Sequence, residues 1–243
     1  MSNVYQLIWF RQDLRIHDHA ALWQATQAGS CIAIVVLSPE QWQQHDDAPI
    51  KIEFYLRQLQ ELKQQLDTLN IPLIVQTIPL WKDIATCFLD LVQFINFQHI
   101  YANIEVGVHE LKRDADVQKQ LNHHQKELVL FHDRTLFPIA SIRNQSNLPY
   151  QVFGAFKKTC YQRLQHGLPQ CYPIPEIQQP IKLDLSSLTQ TNLHQLQLEY
   201  AEKTKQTKMT VWKVGELHAL HLLDHFVNEH LNDYKVSRDI PSI

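Results

Sequence analysis

Short apolar runs rich in β-branched residues alternate, over the first half of the chain, with longer stretches of helical period. That alternation predicts βαβ units around a parallel sheet. Residues 4–9, 31–37, 73–77, 99–102 and 128–131 are the expected buried strands, each bounded by polar or turn residues. Helices are expected between them. Across 52–69, Phe54, Leu56, Leu59, Leu62, Leu66 and Leu69 recur at helical spacing until Asn70-Ile71-Pro72 ends the run. Residues 82–94 and 108–121 follow the same pattern.

From 167 to 207 the pattern dissolves into Pro- and Gln-rich sequence, with Pro169, Pro173, Pro175 and Pro180 close together, as in an interdomain linker. A helical stripe returns over 214–234 through Leu217, Leu220, Leu223, Val227 and Leu231, and the sequence stops soon after. An amphipathic helix with so little following it suggests a second domain that has only begun. The expected organisation is therefore an α/β domain over 1–135, a helical extension and linker over 136–208, and the first helix of a truncated all-helical domain over 209–243.

Composition narrows this further. With 44% hydrophobic and 19% charged residues among 243, the chain has enough apolar material for a proper core. Its 22 Lys+Arg against 25 Asp+Glu give a formal charge of -3, so no overall basic field draws it to nucleic acid. Any DNA contact must come from a local patch. No run approaches the roughly 20 apolar residues of a membrane span, and the N-terminus lacks a basic-then-apolar leader, so a cytoplasmic location is expected and no membrane partner. Cys31, Cys87, Cys160 and Cys171 form no C-x-x-C pair and read as reduced thiols. The 5 glycines make neither G-x-G-x-x-G nor a P-loop, so the usual glycine cradles for nucleotides are absent.

The stretch after the first strand, Trp9-Phe10-Arg11-Gln12-Asp13-Leu14-Arg15-Ile16-His17-Asp18-His19-Ala20-Ala21-Leu22, resembles the amino-terminal signature of the photolyase/cryptochrome family, W-F-R-x-D-L-R-x-x-D-N-x-A-L, with His19 in place of Asn. Two arginines and two carboxylates at the carboxyl end of a first strand can pair across the loop and fix the top of the sheet. Further similarities follow in order: Ser38-Pro39-Glu40-Gln41-Trp42 with His45 and Pro49, then Asn70-Ile71-Pro72-Leu73, then Asn103, Glu105 and Arg113-Asp114, and finally Tyr234 with Arg238-Asp239-Ile240-Pro241. The resemblance covers nearly the whole chain and is greatest to the class I bacterial branch, which repairs cyclobutane pyrimidine dimers.

The resemblance implies a doubly wound, five-stranded parallel sheet of Rossmann-like type that holds an antenna chromophore, commonly 5,10-methenyltetrahydrofolate. It also implies a helical domain that binds FAD and the flipped-out dimer in DNA. Glu110 falls where the family has the Glu that pairs with the pterin ring, and a carboxylate suits the donor edge of a pterin. His109 stands where folate-binding members have Asn, and His45 where relatives place a His near the antenna. Tyr234 matches the first flavin contact and Arg238 a position near the dimer-bearing strand. The expected crevice lies at the carboxyl ends of the strands, between the loops after Trp9, Leu37 and Asn103. The implied activity is that of a deoxyribodipyrimidine photo-lyase. These 243 residues by themselves are expected neither to hold FAD tightly nor to repair DNA.

Without the resemblance, the same residues have plainer readings. Glu110 is then a first-turn acid favoured by the helix dipole, Tyr234 a capping aromatic and Arg238 a solvated charge. Lys157, Lys158 and Arg163, beside Phe153, Phe156 and Tyr161, form the solvated basic face of a helix. His17, His19 and His123-His124 read as loop or surface residues. His218, His221 and His225 share one helix face but reach a single ion poorly, so no metal site is expected. Two functional alternatives stand beside the repair enzyme. One is a cryptochrome-type blue-light photoreceptor, which this stretch of sequence does not separate from it. The other is a non-catalytic α/β remnant whose exposed leucine stripe favours self-association, where the full-length enzyme is expected to be monomeric.

Overall fold

The computed structural model describes residues 4–182, 184–185, 187–205 and 212–240. The chain divides into two compact units, one made of Met1–His45 and Gln65–Thr191, the other of Asp46–Gln64 and Asn192–Ile243.

The first unit is built on five parallel strands, β1 (Tyr5–Phe10), β2 (Cys31–Leu37), β3 (Leu73–Thr77), β4 (Phe97–Asn103) and β5 (Glu127–Phe131). Their order in the sheet is β3-β2-β1-β4-β5, the doubly wound arrangement in which strand order reverses between β1 and β4. Leu7, Ile8, Trp9 and Phe10 are all buried, as a central parallel strand covered on both faces requires. Leu7 and Trp9 join Ile32, Ile34, Ile100 and Ala102 on one face, where Phe88 meets Trp9 edge-on at 5.1 Å between ring centroids.

The expected strands 31–37 and 73–77 match β2 and β3 residue for residue. β4 is longer than its expected run because both ends pair in the sheet, Phe97 with Tyr5 of β1 and Asn103 with Phe131 of β5. The helices, in chain order, are α1 (Ala20–Ala28), α2 (Pro39–Gln44), α3 (Pro49–Thr68), α4 (Ile84–Asp90), α5 (Val108–His123), α6 (Phe153–Leu164), α7 (Leu193–Lys203), α8 (Glu216–Glu229) and α9 (Tyr234–Ser237). The single helix expected over 82–94 is three pieces, α4 flanked by 3-10 turns at Trp81–Asp83 and Leu91–Gln93. Ile84, Ala85, Phe88 and Leu91 still face the core, so the tighter terminal turns lose none of the buried face. Phe54 leaves the buried stripe of α3; it is largely exposed beneath the Arg57 guanidinium, and Ile52 takes its place beside Leu56 and Leu59.

The stretch expected to be a linker is structured. Its Pro-rich half runs along the sheet, where Gln178 spans the start of β2 and the turn before β3. The Cys31 N–H donates to Gln178 Oε1 at 2.8 Å, and Gln178 Nε2 donates to the carbonyls of Cys31 and Asn70 at 3.0 and 2.8 Å. Farther on, the Thr191 N–H donates to the Val75 carbonyl at 2.9 Å, covering the outer edge of β3. Gln178→Ala removes three side-chain hydrogen bonds worth about 1 kcal/mol each. Hydrogen exchange at the Cys31 amide should accelerate at least tenfold in that variant; an unchanged rate would mean that water replaces Gln178 without loss.

The second unit contains α7, α8 and α9 with most of α3. Leu193 and Tyr200 bury the inner side of α7, a helix inside the expected linker in which Leu193, Leu196 and Tyr200 recur at i, i+3 and i+7. The Gly215 N–H donates to Gln58 Oε1 at 2.8 Å, and Gly215 takes φ +106° where α8 begins. The helix expected over 214–234 ends at Glu229 and resumes as α9. Leu217, Leu220, Leu223, Val227 and Leu231 are exposed, Leu217 to 81%.

Candidate functional site

The loops at the carboxyl ends of β1 and β4 meet where strand order reverses, the usual place for a ligand in such a sheet. Here that point is closed by a buried ion network. Arg11 Nη1 donates to both carboxylate oxygens of Asp114 at 2.8 Å. Arg113 donates through Nε and Nη2 to Asp114 Oδ1 at 2.9 and 2.7 Å, and through Nη2 to Glu105 Oε2 at 2.9 Å. Arg11 Nη2 also donates to the Asn103 carbonyl. Two guanidinium and two carboxylate groups balance in charge, and both cations lie over the Trp9 ring, at 4.7 Å for Arg11 and 4.9 Å for Arg113. The crevice expected between the loops after Trp9 and Asn103 is therefore filled by side chains.

A second buried cluster adjoins it. His19 lies in the loop before α1, one of the two places expected for it, but it is buried, at 1% exposed, and not at the surface. Its Nδ1 accepts the Leu22 N–H at 3.0 Å and caps α1, while Nε2 lies 3.0 Å from Asp13 Oδ2. An imidazole can fill the place of the family's Asn because it offers both an acceptor and a donor. Asn103 Nδ2 donates to Asp13 at 2.8 Å and to Asp133 at 3.0 Å, and Arg15 Nη2 donates to Asp133 at 2.7 Å. Burial pushes the Asp13 carboxyl upward, but the His19 imidazole beside it, the Arg11 N–H and the Arg11 charge outweigh it and hold Asp13 well below the usual carboxylate range. The signature's arginines pair with Asp114 and Asp133, and its Asp13 with His19, rather than with each other.

The open part of this edge lies beside the loops after β2, β3 and β4. His45 closes α2, and its ring centroid is 5.3 Å from that of His109 at the start of α5. Trp81 stands edge-on to His45 at 5.0 Å. The structure thus brings together two of the three residues marked for the antenna chromophore and adds an indole that the sequence reading missed. A lone Trp after a third strand carried no signal there.

Glu110 is half-buried in the first turn of α5, and its carboxylate folds back over Gly107, where a Cβ would meet Oε2 at 1.9 Å. Imidazole faces suit a flat conjugated ring and a carboxylate suits its N–H donors, so the chemistry of His45, His109 and Glu110 fits a pterin.

Tyr234 and Arg238 lie in the second unit. Tyr234 meets Phe226 edge-on at 5.8 Å, and Arg238 pairs with Asp239 at 3.4 Å, both side chains being largely exposed. These two contacts do not by themselves make a flavin or DNA site. Helix α6 has no buried residue; Phe153, Tyr161 and the Lys157 ammonium over the Tyr161 ring all face solvent, as the plainer reading of that basic face has it. Burial raises the thiols of Cys31 and Cys87 to about 12, which leaves both unreactive. Among the described residues no helix is long and apolar enough to cross a membrane.

A doubly wound α/β domain with an ion-locked switch point and an open aromatic edge is the class of protein that fold and site define. The family model described as DNA photolyase matches residues 6–176. The chain belongs to the DNA photolyase family. It is 33% identical over 246 residues to the deoxyribodipyrimidine photo-lyase of Buchnera aphidicola subsp. Acyrthosiphon pisum, an alignment covering 97% of this chain and 47% of that protein. The crystal structure of a class III photolyase from Agrobacterium tumefaciens superposes with a TM-score of 0.76 at 19% identity, covering 100% of this chain and 48% of that one. A cryptochrome from Synechocystis sp. PCC6803 superposes with a TM-score of 0.69 at 24% identity, covering 98% and 50%. The chain spans about half the length of the curated relatives it matches.

Proposed function

We propose that this chain is the antenna-binding portion of a deoxyribodipyrimidine photo-lyase, the light-driven enzyme type that repairs pyrimidine dimers in DNA with FAD as cofactor. The antenna is a flat conjugated chromophore, 5,10-methenyltetrahydrofolate in the first place, seated against His45, His109 and Glu110. One observation carries the reading: residues that only the family register marked, remote in sequence, stand together as an open edge at the carboxyl ends of the strands. When bound, such a chromophore supplies absorption in the near ultraviolet and blue. The chain's own part is to stack the ring on imidazole, to accept its N–H donors at Glu110, and to hold the loops still through the ion network behind them. Tyr234 and Arg238 belong, on the same reading, to the flavin and DNA contacts of the complete enzyme, and no step is built on them.

Titration of the purified chain with 5,10-methenyltetrahydrofolate, followed by its absorption band and by equilibrium dialysis, tests the reading. The wild-type chain should bind, and Glu110→Ala should weaken binding by about tenfold or more, since a hydrogen bond to a charged group is worth about 1.5–3 kcal/mol. No binding by the wild-type chain would sink the proposal. Gly107→Ala offers a gentler probe. Its φ of -65° suits alanine, so the fold should persist while the Glu110 carboxylate is driven from its place over residue 107. Folate affinity should change with little change in unfolding midpoint, and an unchanged affinity would take the observed Glu110 placement out of the site.

A further inference from the structure

We infer that Trp81 is a further chromophore-binding residue, the third ring of a wall that His45 and His109 begin; this rests on the antenna reading above. Three loops each contribute one ring, His45 after β2, Trp81 after β3 and His109 after β4, at centroid separations of 5.0 Å and 5.3 Å.

Trp81 is placed by contacts that do more than fill a core. Gln41 holds it from one side: Gln41 Oε1 accepts the Trp81 N–H at 3.3 Å, while Gln41 Nε2 lies 3.1 Å from His45 Nε2. One side chain therefore ties the indole's backbone to the neighbouring imidazole. Arg113 holds it from another, its guanidinium 4.9 Å from the indole centroid and equally far from Trp9. Because Glu105 and Asp114 already neutralise Arg113, the cation stiffens the indole without making the wall strongly positive. The indole itself remains half-buried, so it keeps surface to offer.

With His45 at 90° to Trp81 and at 43° to His109, the three rings form an angular aromatic surface, on which a planar, electron-poor heterocycle gains dispersion and cation–π attraction from the indole. The methenyl bridge of 5,10-methenyltetrahydrofolate carries such a delocalised positive charge. Arg113 and Gln41 act here as positioning residues, and Trp81 as the contact.

The test compares the full chain with Trp81→Leu, Trp81→Phe and Glu110→Ala, each titrated with 5,10-methenyltetrahydrofolate. Trp81→Leu should weaken binding roughly five- to thirty-fold, the scale of a lost stacking contact, and Trp81→Phe should recover most of it. The absorption band of the bound chromophore should shift in both Trp81 variants at full occupancy, because a stacked indole perturbs only a conjugated ring that it touches. Wild-type affinity and an unshifted chromophore band in both Trp81 variants, with Glu110→Ala still weakened, would overturn Trp81 and leave the antenna reading standing. Failure of the wild-type chain to bind would overturn both. Should Trp81→Leu fail to fold, the chromophore band position in Trp81→Phe decides alone.

Discussion

Asp114→Ala should cost the sheet unit about 3–5 kcal/mol, a large share of the 5–15 kcal/mol typical of a domain. Asp114 accepts hydrogen bonds from both Arg11 and Arg113, and the side chains of all three are about 95% buried. Without it two guanidinium groups share Glu105 alone, and that carboxylate lies 3.6 Å from Arg11 Nε, too far for a good hydrogen bond. An uncompensated buried cation is far more costly than a broken surface pair. Urea unfolding followed by tryptophan fluorescence would report the loss directly, since both arginines lie on Trp9. A change under about 1 kcal/mol would show that water reaches the cluster as it reaches a surface ion pair. Replacing Arg11, Arg113, Glu105 and Asp114 together by apolar residues is a different experiment, because removing every charge leaves none unpaired.

Asp13→Ala should cost about 1.5–3 kcal/mol at neutral pH, and the difference from wild type should shrink in acid. Asp13 accepts the Arg11 N–H at 2.9 Å and Asn103 Nδ2 at 2.8 Å, beside His19. Its folded-state carboxyl titrates far below the ordinary value of 3.8. The unfolded chain therefore takes up a proton here first. The contribution of Asp13 is fully present above that ordinary value and is lost progressively as the pH falls below it. Unfolding free energies measured from pH 7 downward should converge for variant and wild type in acid. A constant offset over that range would mean that packing, not the charge of Asp13, stabilises the folded state.

The two clusters differ in how they could be read beforehand. Arg11, Asp13 and Arg15 were visible as charges in a family signature, with pairing across the loop as the expected outcome. Their partners Asp114 and Asp133 lie a hundred residues or more away from Arg11 and Arg15, and sequence spacing carries no information about contacts across a sheet. His19 was misjudged because a histidine in a polar loop is ordinarily exposed. Only the capping geometry of α1, with Asp13 beside it, gives that ring a buried place. Helix α7 was overlooked for a different reason: Leu193, Leu196 and Tyr200 do recur at i, i+3 and i+7, but the Pro- and Gln-rich sequence before them reads as a linker throughout.

What the sequence by itself determined is the parallel α/β architecture, most of the strand boundaries and the family. These follow from local apolar periodicity and from a contiguous signature, both of which are properties of neighbouring residues. The tertiary structure alone decided that the switch point is closed by charge, that the Pro-rich stretch straps the edge of β3, and that His45 lies beside both Trp81 and His109. Each of those depends on which loops the strand order β3-β2-β1-β4-β5 places side by side. Strand order is set by how whole elements bury their faces against one another, so chemistry assembled from three separate loops appears only once the chain is folded.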